Sequence, residues 1–177
     1  LNLNVLNHKN DDKTIKKCLS YIASIYDIEQ EIRDIAHDLT LDAFNNSINS
    51  FVTLVKDFIS AQENTTKTKY KFEMDETINW EKISSIIKMN LFRIIQESSY
   101  NINKFAEAKN AIICFMLDES NLCLSITDDG KGFDVESNND GIGLKNIKQR
   151  VESLNGKLVI QSISNKRTSL NIAIPLA

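Results

Sequence analysis

The sequence predicts an α+β chain in two parts. Residues 1–66 read as a helical hairpin suited to a dimeric four-helix bundle, and residues 67–177 as a two-layer α/β sandwich. Three observations predict this. Apolar residues recur at spacings of three and four along the first part, which holds none of the chain's 5 Gly or its 1 Pro. Short β-rich runs with alternating side chains fill much of the second part. Between those runs lie two stretches of helical period, and helices mixed with mostly antiparallel strands make a sheet covered by helices.

The elements follow in order. From Thr14 to about Asn45, the residues Ile15, Cys18, Ile22, Ile25, Ile32, Ala36 and Leu39 fall on one stripe, with Glu29 the only polar member. This is a heptad seam, and so narrow a stripe on a long helix meets another helix. "FNNSIN" (Phe44 to Asn49) breaks it. Phe51, Leu54, Val55, Phe58 and Ile59 then give a second amphipathic helix. Two helices cannot bury both stripes alone, but two copies of the pair can. "ENTTKTK" (Glu63 to Lys69) is poor in apolar residues and reads as a linker, and "YKFEM" after it as a strand. Helix is expected from about Trp80 to Ala106. "AIICFML" and "LCLSITD" form a hairpin across "DESN". A loop rich in Gly, Asp and Asn precedes a helix from about Leu144 to Leu154, stopped by Asn155-Gly156. The strands "KLVIQSI" and "SLNIAIP" complete the pattern.

Composition narrows the function classes. A formal net charge of -3 gives no argument for nucleic acid or for an anionic membrane. The three cysteines, Cys18, Cys114 and Cys123, lack metal-type spacing and read as small buried hydrophobes of a reducing compartment. No apolar run approaches the ~20 residues of a membrane span, and no signal-peptide pattern is present. The chain opens at Leu1 in what reads as the middle of a longer sequence. The expectation is a sensor region on its N-terminal side.

Three groups of residues carry chemistry. On the helix of residues 86–105, Arg93, Glu97, Asn101 and Lys104 share a face distinct from the apolar one. A carboxylate, a neutral oxygen ligand and a cation in line suit a magnesium–triphosphate group. A solvated helix surface would explain any two of them. In "ITDDGKGFD", Asp128 ends a strand and Gly130 and Gly132 follow, so backbone can approach a ligand beside a carboxylate able to accept from an exocyclic amine. A simple Asp-Gly turn is the plainer reading. In "GIGLKNIKQRVESLNG", Gly141 and Gly143 precede a helix N-terminus, where phosphates are favoured. No βαβ unit surrounds this G-x-G, so it is not a dinucleotide fingerprint.

The order "QESSYNINKFAEAKNA", "DDGKGFD", "GIGLKNIKQRVESLNG" and a last strand ending at Pro175 resembles the ATP-binding domain of histidine kinases, type II topoisomerases, Hsp90-type chaperones and mismatch-repair ATPases. The resemblance covers roughly residues 69–177 and is nearest to sensor histidine kinases of the nitrate-sensor subfamily. It implies ATP and Mg2+ as cofactors. Asn101 would be the magnesium ligand, Asp128 the adenine-reading carboxylate and Lys104 a phosphate contact. Gly130 and Gly132 would border the nucleotide, and Gly141 and Gly143, with Leu144 after them, would frame a short lid. Thr168 resembles the threonine that supports the adenine site. Glu97 stands where related ATPases keep a water-activating carboxylate.

"EIRDIAHDL" resembles the phosphoacceptor motif of that subfamily, with His37 as acceptor and Asp38 beside it. With Ala36 at a and Leu39 at d of the heptad, His37 falls at b, off the seam. His8 has no such context. The resemblance implies an ATP-dependent protein-histidine kinase of a two-component system. Its partners would be a second copy of the chain through the N-terminal helices and the receiver domain of a response regulator. It implies a cytoplasmic domain, with any membrane attachment in the sensor region. Three positions depart from the family pattern. Asp42 stands in place of a Gln that supports dephosphorylation, and an ionised carboxylate cannot donate a hydrogen bond. Arg167 replaces the Gly before Thr168, and Phe105 replaces a frequent His. The competing readings are a serine kinase or plain ATPase on the same nucleotide domain, and a non-catalytic nucleotide-binding module.

Overall fold

A computed structural model describes residues 21, 50–135, 142–164 and 166–176 of the 177-residue chain. His37, Asp38 and Asp42, the heptad stripe and Gly141 lie outside the described residues. From residue 50 onward the described residues belong to one compact unit, Phe44–Ala177.

Helix α1 (Ser50–Thr65) is followed by β1 (Lys69–Met74), a 3-10 turn (Trp80–Lys82) and α2 (Ser85–Asn101), which runs on into a π turn (Ile102–Ala106). Strands β2 (Asn110–Asp118) and β3 (Asn121–Asp128), helix α3 (Ile142–Ser153) and strands β4 (Lys157–Ile163) and β5 (Arg167–Pro175) complete the unit. The five strands form one sheet in the order β1-β2-β3-β5-β4. β1 runs parallel to β2, and every other pairing is antiparallel. The α+β sandwich expected for the second part is therefore present.

Alternation in the strands decides which face is covered. Ala111, Ile113 and Phe115 of β2, Leu122, Leu124 and Ile126 of β3, and Leu170, Ile172 and Ile174 of β5 are buried under the helices. Ile112, Met116, Val159 and Ile163 point to the other side and stay exposed. Cys114 and Cys123 sit on that outer side, half-buried and free, and so are not the fully buried hydrophobes expected.

Two of the helices have a legible start or stop. Ser84 caps α2 by accepting the Ile87 N–H at 3.3 Å. Asn155, at φ 53°, ends the turn after α3 in the left-handed region, and the Gly156 N–H returns to the Val151 carbonyl at 2.9 Å.

One boundary differs from the sequence reading, which placed residues 1–66 with the dimerisation helices. Phe51, Val55 and Ile59 of α1 are buried in the sandwich core. The Phe51 ring lies 4.6 Å from Trp80 and 5.9 Å from Phe115, centroid to centroid, and Phe58 lies 5.6 Å from Phe92. The polar stretch read as a linker is a tight connection instead. Glu63 Oε1 accepts the Tyr70 N–H at 2.9 Å, and Thr68 Oγ1 donates to the Ala108 carbonyl at 2.9 Å. An apolar stripe records that a helix has a buried face, not which surface covers it.

Candidate functional site

Strand β3 delivers Asp128 to the end of the sheet, next to Thr168 on β5, its register partner. Thr168 is in turn register partner of Ser162 on β4. The π turn and the loop after β3 cross nearby, held together by the Lys131 N–H donating to the Ala106 carbonyl at 2.8 Å. Gly130 is needed at this crossing, because an added Cβ would collide with the Ala106 carbonyl and come within 2.7 Å of the Asp128 carboxylate. Gly132 adopts φ 61°, and a Cβ there would collide with the Ile163 carbonyl oxygen. These elements and the start of α3 enclose a cavity of about 380 Å³.

Asp128 is buried, and its carboxylate accepts the Gly130 N–H at 2.9 Å. Burial pushes its carboxyl above the ordinary carboxylate range, and the neighbouring Asp129 charge adds to this against the Gly130 hydrogen bond. Asp129 points the other way. Its carboxylate accepts the Asn110 N–H at 2.8 Å, the Lys109 N–H at 2.7 Å and the Asn110 side-chain amide at 2.7 Å. The Asn110 N–H chiefly holds it below the ordinary range. One aspartate thus faces the cavity, and the next clamps the start of β2.

The hydroxyls of Ser162 and Thr168 share a hydrogen bond at 3.3 Å, and Ser162 Oγ accepts the Phe133 N–H at 2.7 Å. This joins the sheet to the segment leaving Gly132. On the opposite wall, a Cβ at Gly143 would collide with Glu97 Oε1 and come within 3.1 Å of Asn101 Nδ2. The first turn of α3 therefore lies directly against both side chains. Near the cavity mouth, Lys131 Nζ pairs with Glu107 Oε1 at 2.7 Å, and this partner lowers the Glu107 pKa.

Of the residues singled out from sequence, Asn101, Asp128, Gly132, Gly143, Leu144 and Thr168 line the cavity. Gly130 lies buried under it, and Glu97 touches Gly143 from behind the lining. Lys104 is not brought in. Its ammonium donates to the Tyr100 hydroxyl at 2.6 Å, lies 5.0 Å from the Tyr100 ring centroid, and borders a separate depression with Phe58 and Gln62. The physical reason is the π turn after Asn101. Its wider turn rotates Lys104 away from the line that ordinary helical geometry draws through Glu97 and Asn101. Sequence reasoning missed Ser98, Ser162 and Lys131. Ser162 left one signal: it is a polar residue at the inward parity set by Leu158 and Ile160 in β4.

Among the described residues no group of three His, Cys, Asp or Glu could hold a metal ion unaided. The amide of Asn101 and the carboxylate of Glu97 side by side do suit a magnesium ion that draws its remaining ligands from phosphate and water. No described helix is long and apolar enough to cross a membrane.

Residues 87–177 match the family model described as histidine kinase-, DNA gyrase B-, and HSP90-like ATPase. The chain is 27% identical over 173 residues to the signal transduction histidine-protein kinase/phosphatase DegS of Brevibacillus brevis, covering 97% of this chain and 44% of that one. It is 37% identical over 92 residues to the sensor histidine kinase ComP of Bacillus subtilis, covering 50% of this chain and 12% of that protein. It thus spans less than half the length of either relative. The fold superposes on the Acinetobacter baumannii histidine kinase AdeS with TM-score 0.61 at 14% identity, over 95% of this chain and 86% of that one. With half of its length matched by one family model, and with sensor histidine kinases as relatives, the chain belongs to the histidine kinase-, DNA gyrase B- and HSP90-like ATPase family.

Proposed function

We propose that this chain is the core of a sensor histidine kinase that binds Mg-ATP in the cavity, phosphorylates His37, and passes the phosphoryl group to an aspartate of a response-regulator receiver domain. One observation carries the reading. Residues from three separate motifs, Asn101, Asp128 with Gly132, and Gly143 with Leu144, line one cavity together with Thr168. Asp128, with Thr168 beside it, accepts the exocyclic amine of adenine. The N–H groups at the start of α3, next to Gly143, face the phosphates. Asn101 holds magnesium with Glu97 beside it, and bound magnesium neutralises charge on the transferring phosphoryl group. Gly141 belongs with Gly143 in framing the lid.

One imidazole nitrogen of His37 attacks the γ-phosphorus in line. A nitrogen–phosphorus bond forms, the bond to the β,γ-bridging oxygen breaks, and ADP leaves. Asp38 accepts a hydrogen bond from the other ring nitrogen, which sets the tautomer and raises nucleophilicity. Such assistance is worth about a hundredfold to ten-thousandfold in rate. The heptad stripe read from Thr14 to about Asn45 pairs with that of a second copy. Any membrane attachment belongs to a sensor region on the N-terminal side, which leaves this core in the cytoplasm.

The test is incubation with γ-labelled ATP and magnesium. The wild type should incorporate label that survives base and is lost in acid, as phosphohistidine is. His37→Ala should incorporate none while still binding ATP. Acid-stable label, or label retained in the alanine variant, would support the serine-kinase alternative and end the histidine assignment.

A further inference from the structure

We infer that Ser98 is an additional base-recognising residue of this cavity: its hydroxyl hydrogen-bonds the base of the bound nucleotide, directly or through one water. The inference rests on the proposal that ATP occupies the cavity. Ser98 lines that cavity, is only 3% exposed, and its Oγ has no hydrogen-bond partner in the protein. A helical serine commonly returns its hydroxyl to the carbonyl four residues back, but this one does not. Leaving a buried hydroxyl without a partner is unfavourable, and such a group in a native fold calls for an explanation.

The lining combines buried residues, Asp128 at 5%, Thr168 at 6% and Leu170 at 7% exposure, with exposed ones, Phe105 at 53% and Phe133 at 37%. By its own burial Ser98 belongs to the first group. It stands one helical turn before Asn101, on the face that Asn101 and Ile102 also turn to the cavity. A hydroxyl both donates and accepts. It can therefore complement Asp128, which in its ionised form only accepts.

Ser99 supplies an internal control. Its Oγ is also buried without a partner, yet Ser99 is not part of the cavity lining. Calorimetry on the full chain should compare Ser98→Ala, Ser99→Ala and wild type for ATP and for ADP, each with magnesium and with a chelator. A contact at the base end weakens all four bindings by the same factor, about fivefold for one neutral hydrogen bond. Ser99→Ala should leave all four unchanged. Neither variant should melt below wild type, since each removes a hydroxyl that no protein group satisfies. Wild-type affinity in Ser98→Ala would overturn the inference. So would a loss that depends on magnesium or on the number of phosphates, because that would move the contact to the other end. A wild type that binds neither nucleotide would instead overturn the proposal of ATP in the cavity.

Discussion

Asp128 and Asp129 share a peptide bond and are driven in opposite directions. Burial raises the Asp128 pKa, so between the ordinary carboxylate value and the raised one the folded state holds a proton that the unfolded chain releases. Its contribution to stability therefore falls as pH rises through that window, and the ionised form is a burden at neutral pH. Asp129 is lowered, so its contribution is present above the ordinary value and is lost as pH falls through its folded value. Asp128→Asn keeps an oxygen for the Gly130 N–H and removes the buried charge. The variant should melt higher than wild type at pH 7. The gain should shrink as the pH enters the carboxylate range. ATP affinity should drop about tenfold or more, as for a lost charge-assisted hydrogen bond. Thermal melts at pH 7 and pH 4 with calorimetry check both halves, and a variant that melts lower and binds normally would refute them. The glycines around Asp128 made it legible in the sequence. Its place at the strand end before the two glycines singled it out from Asp129, while the clamping role of Asp129 was not readable there, because it lies in which way that side chain turns. Ser98 was silent, and Ser162 signalled only its inward parity in β4, for a related reason: a serine on a helix or strand becomes informative only when its neighbours in space are known.

Periodicity showed where helices form, and the outcome for α1 and α2 shows its limit. The stripe Phe51, Val55 and Ile59 is real, but it packs on the sandwich rather than on a dimer partner. Phe51 is 3% exposed and sits beside Trp80, the only tryptophan of the chain. Phe51→Ala should lower stability by about 3–5 kcal/mol, the range for emptying a buried aromatic site. Urea unfolding followed by tryptophan emission reads this directly. A helix serving dimerisation alone would leave that transition unchanged. The π turn of α2 was equally hidden, since the shift from four-residue to five-residue hydrogen-bond spacing has no residue signature. It removed Lys104 from the expected line and brought Phe105 and Ala106 to the cavity.

At the scale of the molecule, the sandwich and the order of its motifs were legible, while the division of the chain was not. The compact unit begins at Phe44, ahead of the boundary drawn after residue 66. A fragment of residues 44–177 should unfold cooperatively and bind ATP. A fragment of residues 67–177, stripped of α1, exposes the side of the core that Phe51, Val55 and Ile59 cover. It should expose apolar surface to a hydrophobic dye and lose its sharp melt. Equal melting of the two fragments would restore the later boundary. The placement of Asp128, Thr168 and Ser162 as consecutive register partners on β3, β5 and β4 reaches further. They form one rung across the sheet, spaced by main-chain ladders rather than by side-chain fit. A one-residue slip of β5 would turn Thr168 to the opposite face. That wall of the cavity inherits the stiffness of the backbone, so any adjustment to ligands of different length must come from the helices facing it.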